Sequence, residues 1–248
     1  MTGTFRGNFS KKSLTKGNLA AFGTVILSIG GIAVTRPAQA VDFGEVDFPE
    51  GEISFADFVV SYDRGPDNGD YSFAPLEAFD NPETAVGIPN SVTDRDAERD
   101  GDFSQRSDVS LGEGGTLVLR FADNFLTRSG DDSEDLWVFE AGTVVEGVLV
   151  EISEDGDNFF SVGQIGGTQV GGIDIDAFDI DPEIELFSFV RLTDDGSNVY
   201  DGGWAGADID SVGAISTIAA ADIPEPSTVL GLLAIGILGA GTQLKRKG

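Results

Sequence analysis

The sequence predicts an all-β fold, an antiparallel β-sandwich or jelly roll, flanked by an N-terminal signal helix and a C-terminal hydrophobic sorting helix. Three observations predict it. Apolar and polar residues alternate over short runs in the middle of the chain. Gly, Asp, Asn and Pro interrupt those runs at short intervals, which is the grammar of hairpins and turns. Long apolar stretches occur only near the two ends.

Residues 1–40 contain no acid. Arg6, Lys11, Lys12 and Lys16 precede an apolar stretch from about Leu19 to Val34, and Pro37-Ala38-Gln39-Ala40 closes it with a small-x-small pattern. A basic region, an apolar region and such a site in this order define a secretory signal peptide. Signal peptidase is therefore expected to cut between Ala40 and Val41. As a retained anchor the apolar run would be short, since a bilayer span needs roughly 20 apolar residues.

Residues 223–248 read "IPEPSTVLGLLAIGILGAGTQLKRKG". Pro224-Glu225-Pro226 stands before an apolar run from Val229 to Leu244, and Lys245-Arg246-Lys247 follows. Cations after such a run stay cytoplasmic, which leaves the rest of the chain outside. This three-part ending resembles the PEP-CTERM sorting signal of bacterial surface proteins. The resemblance implies that the C-terminal helix holds the chain in the membrane before processing. It also implies that an exosortase-like enzyme recognises Pro224, Glu225 and Pro226 and passes the body to the surface or extracellular matrix.

Between these ends lies one domain, residues 41–222, long enough to bury a sizeable core. Its 42 carboxylates face seven arginines and no lysine, a net charge of −35. A surface of that sign repels nucleic acid and anionic lipid. Three readings fit it: divalent-cation binding, solubility in a salty medium, or simple repulsion that keeps an exported protein dispersed. With no cysteine in the chain, stability must come from the core or from bound ions rather than disulfides.

The strands follow from the alternation. Ile53–Ser61 is the first candidate, and residues 80–108, polar and charged, read as a long functional loop. In Thr116–Phe121, Leu117, Leu119 and Phe121 share one face. Leu136–Glu140 is a further strand. In Gly147–Ser153, Val148, Val150 and Ile152 point inward and Leu149, Glu151 and Ser153 outward. Asp155-Gly156 then signals a hairpin, with Phe159–Val162 beginning the return. Leu186–Leu192 and Val212–Ile218 complete the set.

The segments "NPETAVGIPN" (81–90), "SLGEGGTLVLRF" (110–121), "DLWVFEAG" (135–142), "VEISEDGDNFFSVG" (150–163), "FVRLTDDG" (189–196) and "GADIDSVGAI" (206–215) follow one another in order. Together they resemble a discoidin-like, or galactose-binding-like, β-sandwich. That resemblance implies a jelly roll whose loops bind sugars and whose edge holds a structural calcium.

The chain has no histidine and no cysteine, and the body has no lysine. Ser-His-Asp and Cys-His catalysis, imidazole or thiolate zinc sites, and Schiff-base chemistry are therefore excluded from the body. Paired carboxylates remain, so the alternative to a non-enzymatic surface or matrix module is a secreted glycan hydrolase using two acids. The expected cofactor is calcium, which takes oxygen ligands from acidic loops. The candidate ligands are Asp208 and Asp210, Asp174 and Asp176, with Asp179, Asp181 and the Asp131–Asp135 cluster behind them. Trp204, flanked by glycines, is the candidate platform for an extracellular polysaccharide.

Overall fold

The computed structural model describes residues 40–43, 46–66, 76–92, 95–142, 146–197 and 205–219. Thirteen strands run through these residues in the order β1 (Val41–Phe43), β2 (Val46–Phe48), β3 (Phe58–Asp63), β4 (Val109–Ser110), β5 (Thr116–Arg120), β6 (Asn124–Leu126), β7 (Leu136–Glu140), β8 (Val148–Ser153), β9 (Phe160–Ile165), β10 (Val170–Ile173), β11 (Phe189–Asp194), β12 (Asp208–Ala214) and β13 (Thr217–Ala219). One short α-helix, α1 (Arg95–Arg99), and four 3-10 turns account for the helical residues described.

The sandwich consists of a four-stranded sheet in the order β10-β7-β12-β4 and a five-stranded sheet in the order β3-β5-β11-β8-β9. Every pairing is antiparallel. Alternation puts one side chain in two on the inner face of each sheet, and those residues meet in a shared core. Leu117, Leu119, Val148, Val150, Ile152, Val190 and Leu192 come from the larger sheet. Leu136, Val138, Val109, Ile209 and Val212 come from the smaller, and all of these are fully buried. Removing such a side chain from water contributes about 1.5–3 kcal/mol each.

The smaller sheet is covered on its outer face as well. Val46, Phe48 and Phe55 pack with Phe139, against Trp137 and Val170. The Phe48 and Phe55 ring centroids are 4.6 Å apart and tilted, a favourable aromatic geometry. Gly213 makes this cover possible. A Cβ there would lie 2.7 Å from Phe48 and 2.8 Å from Phe55.

Several expected boundaries move. Residues 51–54, expected as the start of a strand, form a 3-10 turn entered through Gly51 at φ 64°, and the strand begins only at Phe58. Leu186–Leu192 shifts to Phe189–Asp194, because Phe187 makes a lone bridge to Leu126 instead of joining the sheet. Val212–Ile218 is divided. Ile215 and Ser216 bend the chain, so that β13 leaves the sheet and pairs with β6. The loop expected at residues 80–108 contains the Pro82–Ala85 turn and α1, and much of it is packed down. Phe79 and Ala85 are fully buried, and Asp108 nearly so. Among the described residues no helix is long and apolar enough to cross a membrane. The expected signal helix and sorting helix lie outside the described residues, apart from Ala40 and from Val41, the first residue of β1.

Candidate functional site

The charged interior is built on the segment that covers the smaller sheet. Arg106 is almost wholly buried there and serves three acids. Its Nη2 donates to Asp108 at 2.6 Å and to Asp208 at 3.1 Å, and its Nη1 to Glu98 at 3.3 Å. The guanidinium also stands over the Phe79 ring, 5.1 Å from the centroid. Such a group is stable away from water only while each charge keeps its partners.

Asp208 and Asp210, expected as a calcium-binding pair, are both turned to this cover. Asp208 gives one oxygen to Arg106. Asp210 Oδ1 accepts the backbone N–H groups of Asn90 at 3.0 Å and Ser91 at 3.1 Å. A bulge between Ile209 and Ser211 interrupts the simple alternation on which the pair was read. One oxygen of Asp208 is thus used by a guanidinium, and one of Asp210 by two backbone amides. Burial pushes the Asp210 carboxyl up to about 6, and it raises Asp208 as well.

Asp174 and Asp176 meet a third carboxylate. Asp135, Asp174 and Asp176 bring one oxygen each within 4.8 Å of one another. Asp135 stands just before β7 and is fully buried. Its Oδ1 accepts from Ser129 N–H at 2.7 Å and its Oδ2 from Ile175 N–H at 2.9 Å. Asp174 caps the Ile175–Ala177 turn by accepting from Asp176 N–H at 2.9 Å, and Asp176 Oδ2 accepts from Gly130 N–H at 2.7 Å. Two short loops are thereby held with three carboxylates facing one another, the donor set that suits calcium. Of the Asp131–Asp135 cluster only Asp135 joins. Asp131 and Asp181 instead cap their own turns, at Ser133 and Glu183.

At one end of the sandwich, Gly147, Gln164, Ile165, Gly166, Gly167, Asp195 and Ser197 line an open groove of about 440 Å³. The segment carrying Trp204 follows Ser197 and ends at Ala205. Trp204, Pro224, Glu225 and Pro226 lie outside the described residues.

The sequence reading missed Arg106 and Glu140. Arg106 gave no signal beyond being one of seven cations in the body. Glu140 did give one: the row Leu136, Val138, Glu140 places an acid on the core-facing side of β7. The outcome is a carboxyl 4% exposed, pushed up to about 9 chiefly by burial.

Comparison with known proteins identifies the C-terminal segment. Residues 222–247 match the PEP-CTERM protein-sorting motif, so the chain carries the sorting signal of exported surface proteins, held in the membrane before processing. No curated protein matches the sequence. Among solved structures, the chain is similar to the Clostridium perfringens domain CpGH89CBM32-6 at 12% identity and a TM-score of 0.29, over 44% of this chain and 74% of that one. It is similar to CpGH89CBM32-4 of the same organism at 15% and 0.33, over 66% and 98%. A third is the C-terminal domain of a chitobiase from Bacteroides fragilis, at 16% and 0.23, over 39% and 62%. The antiparallel sandwich itself rests on the strand pairing described above.

Proposed function

We propose that this chain is an exported, non-enzymatic module of the cell surface or extracellular matrix that binds carbohydrate and is stabilised by calcium. The match of residues 222–247 to the sorting motif carries the reading, because such a signal belongs to exported proteins. Signal peptidase and an exosortase-like enzyme are then its processing partners.

Binding rather than hydrolysis is supported by how the acids are placed. A glycosidase needs two carboxyl groups on either side of an accessible bond. Here Glu140 and Glu146 do lie together, but each is 5% exposed or less, and Glu140 faces the core side of its sheet. The groove at the loop end offers instead an open, polar surface of Gln164, Asp195 and Ser197. Amide, carboxylate and hydroxyl groups in an open groove suit the hydroxyl rim of a sugar, and Trp204 is the proposed platform for its apolar face. Asp135, Asp174 and Asp176 are the proposed calcium ligands.

A glycan array probed with the chain, with calcium and with a chelator, tests this reading. The expected result is selective binding to a polysaccharide class, weakened by Trp204→Ala. Failure to bind any glycan in either condition would reduce the proposal to a structural surface protein.

A further inference from the structure

We infer that the outer face of the five-stranded sheet binds an acidic polysaccharide, with uronate carboxylates docking on Arg120 and sugar rings lying on Phe58. This surface is separate from the groove, and its assignment rests on the carbohydrate-binding reading above.

Leu117, Leu119, Val190 and Leu192 turn into the core, so alternation turns Val118 and Arg120 of β5 and Phe189 and Arg191 of β11 outward. Arg120 stands between two aromatic residues, with Phe58 opposite it on β3 and Phe189 opposite it on β11. At the spacing of neighbouring strands the row is about 10 Å wide. The Arg120 guanidinium lies over the Phe189 ring, 5.6 Å from the centroid. The turn after β8 abuts the same ring, where a Cβ on Gly156 would come within 3.2 Å of it. Phe189 is thus held from one side and supports the guanidinium on the other. Phe58 is open to solvent at 56% exposed, as is Val60 at the bulge of β3.

Charge sets this face apart from the rest of the body. Among the described residues no carboxylate pairs with Arg120, in a body that has 42 of them. The other outward arginine, Arg191, is already bound to Glu151 at 2.6 Å and stacked on Phe159 at 4.2 Å. At the paired positions of the sheet the outward acids are Glu151 and Asp63, which Arg120 and Arg191 balance. The face is therefore locally neutral, and charge elsewhere is screened beyond about 8 Å at 0.15 M salt. A guanidinium backed by an aromatic ring and clear of acids offers its fork to a carboxylate. An exposed phenyl ring beside it suits the apolar face of a sugar ring. A uronate unit carries both features side by side, and a flat sheet accepts a polymer along its length. A second copy of this chain fits less well, because two bodies of this net charge repel each other.

The test is titration of the full chain with polygalacturonate, and with the same polymer methyl-esterified to remove its charge, in 0.15 M sodium chloride with a chelator. The chelator prevents calcium from bridging polymer and protein carboxylates. The charged polymer is expected to bind at least about tenfold more tightly than the ester, and Arg120→Gln should lose that advantage. Phe58→Ser should weaken both polymers, and Trp204→Ala should change neither. Both replaced side chains are exposed, and circular dichroism checks that each variant is folded. Equal binding of the two polymers overturns the site, as does binding unchanged in Arg120→Gln. Binding of neutral glycans alone, lost in Trp204→Ala, overturns it while leaving the groove reading intact. A dimer that Phe58→Ser breaks, with no polymer bound, assigns the face to a second copy and overturns it too. If the variants unfold, the charged polymer against its ester on the parent chain decides alone.

Discussion

Arg106 shows how a single side chain organises the charged interior of an acidic protein. Its guanidinium is 2% exposed and bonded to Asp108, which is fully buried at the side chain. Replacing it with methionine would keep much of the volume and leave Asp108, Asp208 and Glu98 without their cation. Breaking a buried pair by removing one partner costs roughly 3–5 kcal/mol. Arg106→Met is therefore expected to lower the urea midpoint by a corresponding amount, and a loss below about 1 kcal/mol would show that the network contributes little. None of this was legible in the sequence, since a buried arginine and a surface one look alike until the covering segment is placed. The inward position of Glu140 was legible, because the two-residue period that put Leu136 and Val138 in the core extends to it.

At the scale of elements, the β8–β9 hairpin follows most directly from its residues. Val148, Val150 and Ile152 are fully buried and Leu149 is exposed, as the alternation requires, whereas Ser153, expected outward, is fully buried, its Oγ accepting from Gly156 N–H at 2.9 Å. The turn holds because Asp155 Oδ1 accepts the N–H groups of Asp157 and Asn158, both at 2.8 Å, and Gly156 takes φ 81°. Those bonds favour the charged carboxylate and hold its pKa below the ordinary 3.8. The stabilisation is thus fully present above the unfolded value and fades as pH falls through the lower, folded one. Asp155→Ala should melt below the parent at pH 7, and the gap should close as the pH is taken below about 3. A gap independent of pH would mean that the charge plays no part. Other elements were hidden for identifiable reasons. The strands β1, β2, β4 and β6 are two or three residues long, too short for a period to show. The division between β12 and β13 depends on a bend whose cause is the pairing of β13 with β6 across the chain.

The whole molecule combines a sandwich core with a surface that repels itself. The body carries 42 carboxylates against seven arginines and has no disulfide. The Asp135, Asp174 and Asp176 group, at one end of β7, is the proposed place for a specific counter-ion. The sandwich class was legible because alternation reports burial directly. The Asp135, Asp174 and Asp176 group was legible only in part, since two of its members are neighbours in sequence and the third arrives through the fold. The most direct test of this account compares the melting temperature of the full chain in calcium chloride and in sodium chloride at equal ionic strength. General screening acts in both salts, with a Debye length of about 10 Å at 0.1 M. Specific binding adds to it, by about 2.7 kcal/mol for one site at a calcium concentration 100 times its Kd. The account predicts a distinctly larger rise in calcium, reduced by Asp176→Asn. Equal rises in the two salts would contradict it and leave the acidic surface as a solubility device.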